Sequence, residues 1–160
     1  MRLGWNEVRV RAARFVEVWQ EACYEKGETQ GFYKDFFDVF GVSLRRVASF
    51  EAPVKTLGEK RGFIDLFWKG VLLVEQKSAG RSLKRAKQQA FDYFPGLKEE
   101  ELPRYLLLSD FQTFELCDLE EDTRVEFPLR DLPNQVEHFA FVLGVAKRPF
   151  RDQPKVNIEA

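Results

Sequence analysis

Hydrophobic positions between residues 6 and 40 recur every three or four residues, which is the spacing of amphipathic helices. This pattern predicts a first helix from about Asn6 to Lys26, interrupted at Gly27, and a second from Thr29 to Phe40. The second helix is followed by Gly41, a residue type that commonly ends helices. The predicted apolar positions are Val8, Ala12, Phe15, Val16, Trp19, Ala22, Cys23, Phe32, Phe36, Phe37 and Phe40. Helical spacing explains this aromatic stripe, so we interpret it as core packing.

Shorter apolar runs downstream predict strands around one central hairpin. The predicted elements are strands at 46–51, 62–68 and 71–77, a helix at 82–94, strands at 105–109 and 113–119, and a helix at 134–143. Lys69 and Gly70 form the expected tight turn, Ser82 caps one helix, and Asn134 with Glu137 makes a capping pair. The order α-α-β-β-β-α-β-β-α predicts an α/β fold with a central mixed β-sheet flanked by helices.

Length and composition indicate one domain. The 160 residues are 44% hydrophobic and 32% charged, which suffices to bury a sizeable core. We assign residues 1–146 to this domain, with a helical pair at 6–40 and the sheet and its helices at 46–144. Residues 147–160 are polar, contain two prolines and are interpreted as a tail or linker. Cys23 and Cys117 lack metal-ligand spacing and are predicted to be buried free thiols.

Charge and hydropathy narrow the function classes. A net charge of -1 argues against a protein that coats nucleic acid by bulk charge, so any DNA contact must come from locally arranged residues. The chain begins with no secretory signal, and its apolar runs are far shorter than the ~20 residues that a membrane span requires. We therefore expect a cytoplasmic location and no membrane partner.

Three charged residues stand within the two apolar runs of the predicted hairpin: Asp65, Glu75 and Lys77. Burying them costs several kcal/mol unless they are paired or bind a metal. Strand alternation places Glu75 and Lys77 on one face. Asp65 reaches that face only if it lies opposite Glu75, which requires a three-residue loop or a bulge with Gly70 at positive φ. Regular two-residue pairing would refute this constellation.

This arrangement is typical of a magnesium-dependent nuclease. The carboxylates of Asp65 and Glu75, with the backbone carbonyl of Gln76, are oxygen ligands suited to Mg²⁺, and Mn²⁺ fits almost as well. Lys77 would orient the attacking water or stabilise charge on the phosphate. The structural alternative is a plain ion pair.

The helix after the hairpin adds further polar candidates. Gln89 and Tyr93 are four residues apart and share a helical face, from which they can bridge the lysine, a metal-bound water or a DNA phosphate. A solvated glutamine and a packed tyrosine are the alternative. Candidate DNA-phosphate contacts are Ser78, Arg81, Lys84 and Arg85. His138, the only histidine, is interpreted as structural.

Together these residues resemble the PD-(D/E)XK nuclease superfamily, whose restriction-endonuclease-like fold carries its acids and lysine on such a hairpin. Asp65, Glu75 and Lys77 match its motif, and Gln89 with Tyr93 resembles the Gln-x-x-x-Tyr extension of its RecB-like branch. Ile64 stands where the motif's name has proline. The superfamily often adds an acid from a preceding helix. The candidate for it is Glu28, with Glu25 and Glu51 as rivals.

A wider stretch, from Glu28 to Gly144, resembles the amino-terminal nuclease domain of MmeI-like (type IIL) restriction-modification enzymes. The segments that carry this resemblance are 36–41, 64–68, 71–78, 91–97, 102–105 and 109–111. In that family the nuclease is fused to an adenine methyltransferase that uses S-adenosylmethionine and to a target-recognition domain. This chain has no Asn/Asp-Pro-Pro-aromatic methyltransferase motif. Either it is the front end of a longer parent polypeptide whose missing domains carry those parts, which we favour, or it is a small relative that acts with partners.

The resemblance implies a Mg²⁺-dependent endonuclease domain that cuts double-stranded DNA. One site cuts one strand, so double-strand cleavage implies transient self-association. Two alternatives remain open. The first is a RecB-like exonuclease or repair nuclease, which shares the site and differs in the DNA ends it requires. The second is a catalytically idle DNA-binding or docking module of the same fold, against which the intact triplet argues.

Overall fold

The fold is a mixed six-stranded β-sheet with helices on both faces. The computed structural model describes residues 3–21, 26–78 and 81–144. The helices are α1 (Trp5–Trp19), α2 (Thr29–Val39), α3 (Leu44–Val47), α4 (Leu83–Tyr93), α5 (Leu132–Gln135) and α6 (Ala140–Leu143). The strands are β1 (Ser49–Lys55), β2 (Arg61–Trp68), β3 (Leu72–Gln76), β4 (Tyr105–Ser109), β5 (Thr113–Asp118) and β6 (Thr123–Pro128). None of the described helices is long and apolar enough to cross a membrane.

The strands lie in chain order, and every neighbouring pair is antiparallel except β3 and β4. These two strands are parallel and are joined by a crossover that contains α4. A crossover is needed because the chain must return from the end of β3 to the end of the sheet at which β3 begins. The α/β class with a mixed sheet and flanking helices is therefore confirmed.

Each face of the sheet has its own apolar core. One core packs α1, α2, α5 and α6 against the sheet and contains most of the buried aromatic residues. The other lies beneath α4, where Ala86, Ala90 and Tyr93 meet Ile64 and Leu73. Since α4 presents small alanines to the sheet, its backbone can approach β3 closely and its polar residues lie near the end of that strand.

The aromatic stripe of α2 belongs to the core, as its spacing predicts. Its phenylalanines Phe32, Phe36, Phe37 and Phe40 are at most 1% exposed. Phe32 and Phe36 make edge-on contacts with Phe111 and Phe139, with ring centroids 5.0 and 5.1 Å apart. Gly41 follows the helix at φ 73°, the left-handed conformation expected of a helix-ending glycine.

The first strand is where the sequence prediction was partly wrong. Arg46 and Val47 belong to the short helix α3, and β1 begins at Ser49 and continues through Pro53 to Lys55. A proline interrupts a central strand but is tolerated at an edge, where its missing N–H faces no partner. β1 is an edge strand of the sheet, which explains why the pairing extends past Glu51.

The carboxyl-terminal third also differs from the prediction. The sequence analysis missed β6, and the single helix predicted from Asn134 is instead α5, a 3₁₀ turn (Val136–Phe139) and α6. The predicted capping pair does not form: the Asn134 amide donates to Asp131, and Glu137 accepts from Arg9 on α1. Cys117 is a buried free thiol as predicted, whereas Cys23 lies outside the described residues.

The hairpin of β1 and β2 changes faces midway. Leu66 packs in the core of α1 and α2, whereas Ile64 and Gly62, two and four residues earlier on β2, face α4. β1 makes the same change on either side of Glu51, which has a left-handed φ of 51° and lies at the level of Asp65. Uninterrupted alternation would keep all even-numbered residues on one face, so both strands twist at this level.

Candidate active site

The register of the β2–β3 hairpin is the one that the candidate site requires. Trp68 pairs with Leu72 and Leu66 with Val74, so continuing the register sets Asp65 opposite Glu75. The loop between them is three residues long, and Gly70 within it has φ 79°. Gly70 also donates its N–H to the Glu101 carbonyl, which ties the loop to a 3₁₀ turn. Of the two arrangements that the site required, a three-residue loop or a bulge, the structure has the loop, and the positive φ of Gly70 is confirmed.

Beyond Leu66 and Val74, side chains replace the backbone pairing between β2 and β3. The Gln76 N–H donates to Oδ2 of Asp65 at 2.7 Å, and the Asp65 N–H lies 3.5 Å from Oε2 of Glu75. Each carboxylate is thus held by the backbone of the opposite strand. The hairpin opens at this level and places both acids in the gap.

Both acids are shielded from water, with Asp65 9% and Glu75 1% exposed. Two buried carboxylates side by side repel each other, and a nearby cation relieves that repulsion. Their hard oxygens are the donor type that Mg²⁺ prefers. The donor set therefore fits a divalent cation bound through two protein carboxylates, with other oxygen donors completing the shell. Within the described ranges, no cluster of three or more histidine, cysteine or acidic residues forms a larger metal site.

A chain of hydrogen bonds runs from Lys77 along α4. The Lys77 ammonium donates to Oε1 of Gln89 at 2.7 Å, and the Gln89 amide donates to the Tyr93 hydroxyl at 3.0 Å. That hydroxyl in turn donates to the carbonyl of Phe63 on β2 at 3.0 Å. The predicted helical pair thus holds the lysine and joins it to the strand that carries Asp65.

The environment of Tyr93 keeps its hydroxyl protonated. Burial is the larger cause that raises its pKa, and the negative charges of Glu75 and Asp65 raise it further. The hydrogen bond from Gln89 acts in the opposite direction and is weaker. Tyr93 therefore acts as a neutral hydrogen-bonding group at physiological pH. The contribution of Glu75 and Asp65 to its raised pKa reflects that both acids lie close to its hydroxyl.

Behind the acids, Gln76 points to the opposite face of the sheet and meets α2. Its Oε1 accepts a hydrogen bond from the hydroxyl of Tyr33, and both side chains are at most 1% exposed. Burial first, and then the charges of Asp65 and Glu75, raise the pKa of Tyr33, while a hydrogen bond with Ser109 lowers it. Sequence reasoning missed Tyr33, although it is the one hydroxyl-bearing ring on the buried side of α2.

Tyr33 also shows where the amino-terminal end of α2 lies. Because it reaches Gln76 from α2, the helix start is brought towards the end of β3. Glu28, the predicted helical acid, is half-buried at the position that precedes α2. Its rival Glu51 is exposed on β1 at the level of Asp65, and Glu25 lies outside the described residues.

Basic and amide side chains line a cleft of about 360 Å³ between Lys77 and α4. Its lining residues are Lys77, Arg81, Ser82, Arg85, Gln88, Gln89 and Asp92. Arg81 and Arg85, two of the predicted DNA contacts, are exposed here beside Lys77. Lys84 is exposed on the same helix, and Ser78 is half-buried directly after Lys77, although neither lines the cleft.

These observations define an α/β domain whose central hairpin opens on two buried acids beside an anchored lysine. The chain belongs to the family of the MmeI N-terminal domain, whose family model matches residues 10–160. Comparison with curated proteins found no match. Among solved structures, a chain of the cryo-EM structure of a DrdV–DNA complex aligns with 88% of this chain at 13% identity and a TM-score of 0.47. This chain spans 13% of the length of that one.

Proposed function

We propose that this chain is the DNA-cleaving domain of a restriction-modification enzyme and hydrolyses phosphodiester bonds with Mg²⁺. The observation that carries the proposal is the opened hairpin, which sets Asp65 opposite Glu75 and presents Lys77 from the same strand end. Membership in the MmeI N-terminal family supports it. The hairpin, the α4 crossover and the parallel strand β4 also agree with a PD-(D/E)XK fold.

Each residue has a distinct role in this proposal. Asp65 and Glu75 hold the cation through carboxylate oxygens, and the Gln76 carbonyl is the third protein ligand. When bound, Mg²⁺ supplies a Lewis acid for the phosphate and lowers the pKa of a coordinated water. Lys77 contributes a fixed positive charge beside the attacked phosphate, which stabilises the charge that develops there.

Gln89 and Tyr93 position that lysine. A free lysine side chain samples many rotamers, and ordering it costs conformational entropy. The hydrogen bond from Lys77 to Gln89 and the anchoring of Gln89 by Tyr93 meet that cost before DNA arrives. A substitution in this chain of bonds should lower the cleavage rate without abolishing metal binding.

The wider context of the domain is part of the proposal. We expect an adenine methyltransferase that uses S-adenosylmethionine and a target-recognition domain in the same parent polypeptide, since the resemblance to type IIL enzymes implies both. One site cuts one strand, so a double-strand break requires two copies to meet on DNA.

Cleavage of supercoiled plasmid in Mg²⁺ or Mn²⁺ tests the proposal. The native chain should yield nicked or linear DNA, whereas Asp65→Asn and Lys77→Met should not. Lys34→Met is the matched control, because Lys34 is an exposed lysine on α2. Cutting that survives in both site variants, or that persists in EDTA, would overturn the assignment. Cutting of linear but not circular DNA would instead support the exonuclease alternative.

A further inference from the structure

The half of the β1–β2 hairpin that lies between Glu51 and Asp65 carries an exposed face with both cationic and apolar side chains. The change of faces at Glu51 turns the even-numbered residues towards α4 and leaves the odd-numbered ones outward. Two cross-strand pairs stand on this side, Pro53 with Phe63 and Lys55 with Arg61. We call these four residues the outer hairpin face. Phe63 is 49% exposed, a large fraction for an aromatic side chain in a strand.

The cationic pair is unfavourable for folding by itself. Like charges directly opposite each other on neighbouring strands destabilise a sheet. Neither Lys55 nor Arg61 forms an ion pair with any carboxylate in the described part of the chain. Carboxylate partners are found for other cations of the described chain, among them Arg9, Arg11, Lys69, Lys87, Arg104 and Arg124. An anion bound between Lys55 and Arg61 would remove the repulsion.

A hydrogen bond and a close backbone contact join this face to the candidate active site. Phe63 is two residues from Asp65, and its carbonyl accepts the Tyr93 hydroxyl. The backbone of Lys55 lies against Gly96, so closely that a Cβ there would be 2.1 Å from the Lys55 oxygen. The hairpin is therefore packed against α4, which carries Gln89, and against the 3₁₀ turn that follows it.

We propose that the outer hairpin face binds duplex DNA next to the phosphate that the site cleaves. Lys55 and Arg61 contact backbone phosphates, and the Phe63 ring packs against sugars and base edges in the groove. The inference rests on the proposed function only in taking DNA as the ligand. It adds a second contact surface, separate from the basic residues at the start of α4.

The combination of two cations and an exposed aromatic ring favours DNA over a protein partner. The centres of protein interfaces are depleted of lysine, and two adjacent uncompensated cations are costly to bury there. Both cations instead strengthen the binding of a polyanion such as DNA, because each phosphate contact releases counterions. An apolar side chain beside such cations can also pack in the groove of a duplex.

The test measures binding of the full 160-residue chain to a fluorescent duplex by anisotropy, in Ca²⁺ and across a salt series. The double variant Lys55→Gln/Arg61→Gln should bind more weakly and reduce the slope of log K against log salt by about 2. Phe63→Ala should weaken binding about tenfold with the slope unchanged, because the exposed half of the ring loses its apolar contact with the groove. The matched control Arg14→Gln/Arg130→Gln also removes two exposed cations and should change neither quantity.

Three results would overturn the inference. In the first, the hairpin variants bind like the control while the native chain binds DNA, so the contact lies elsewhere and the nuclease proposal stands. In the second, the native chain has no measurable affinity for the duplex. In the third, Phe63→Ala changes the sedimentation coefficient but not DNA affinity, which would assign the face to contacts between copies. Plasmid cleavage decides the nuclease proposal separately in each case.

Discussion

Replacing Tyr93 by phenylalanine isolates the hydroxyl at the centre of the hydrogen-bond chain. The ring is 2% exposed and is kept by the substitution, so no cavity forms. The hydroxyl makes two hydrogen bonds of 3.0 Å, one from Gln89 and one to the Phe63 carbonyl. At about 0.5–1.5 kcal/mol each, their loss should lower the free energy of unfolding by about 2 kcal/mol.

For a chain of this size, that loss corresponds to a drop in Tm of about 4–8 °C. Thermal unfolding followed by circular dichroism measures it. Tyr105→Phe is the matched control, because Tyr105 is a half-buried tyrosine for which no hydroxyl hydrogen bond is found in the described part of the chain. Its Tm should change by less than about 2 °C, as is usual where no specific contact is lost.

The same variant tests the positioning role. Without the hydroxyl, Gln89 loses its anchor and the Lys77 ammonium its fixed partner, so cleavage should fall while the affinity for Mn²⁺ stays unchanged. The reasoning is refuted if Tyr93→Phe matches Tyr105→Phe in both Tm and cleavage rate. A loss of metal affinity in Tyr93→Phe would also contradict it, since the hydroxyl then acts on the acids and not on the lysine.

Two further predictions concern packing and pH. Gly96→Ala should destabilise the protein by about 1–3 kcal/mol, because its Cβ would lie 2.1 Å from the Lys55 oxygen. Gly58→Ala should not destabilise the protein, because its Cβ would meet no atom within 4 Å. Equal urea midpoints for the two variants would contradict this contact. Burial raises the pKa values of Tyr33 and Tyr93 above their ordinary 10.0, so the folded state keeps protons that the unfolded state loses. Stability should therefore be complete below about pH 10 and fall above it, less steeply in Tyr93→Phe than in the native chain; parallel curves would contradict the shift.

Much of the site could be predicted because it depends on local rules. Strand alternation and the requirement that Asp65 oppose Glu75 limited the connection to a three-residue loop or a bulge with Gly70 at positive φ, and the loop with that φ is observed. Helical spacing predicted that Gln89 and Tyr93 share a face, and the hydrogen bond between them follows it. These inferences need only the periodicity of one element or one hairpin.

Features that depend on distant parts of the chain were missed. The sequence signal for β6 is short, because Arg124 and Glu126 alternate with only two apolar residues before Pro128, and the pairing with β5 supplies the order. Tyr33 was not singled out, because its partner Gln76 lies 43 residues away in the sequence. The change of faces at Glu51 depends on a left-handed backbone conformation of that residue, which a glutamate in the sequence does not predict.

Binding of Mn²⁺ followed by nuclear magnetic resonance tests the central claim most directly, because a paramagnetic ion broadens only the signals of nearby nuclei and no cleavage is needed. The account predicts that substoichiometric Mn²⁺ broadens the amide signals of Asp65, Gln76 and Lys77 first, and that Asp65→Asn with Glu75→Gln abolishes this effect. Unchanged signals around the opened hairpin, or broadening that persists in the double variant, would contradict a metal site between the two acids.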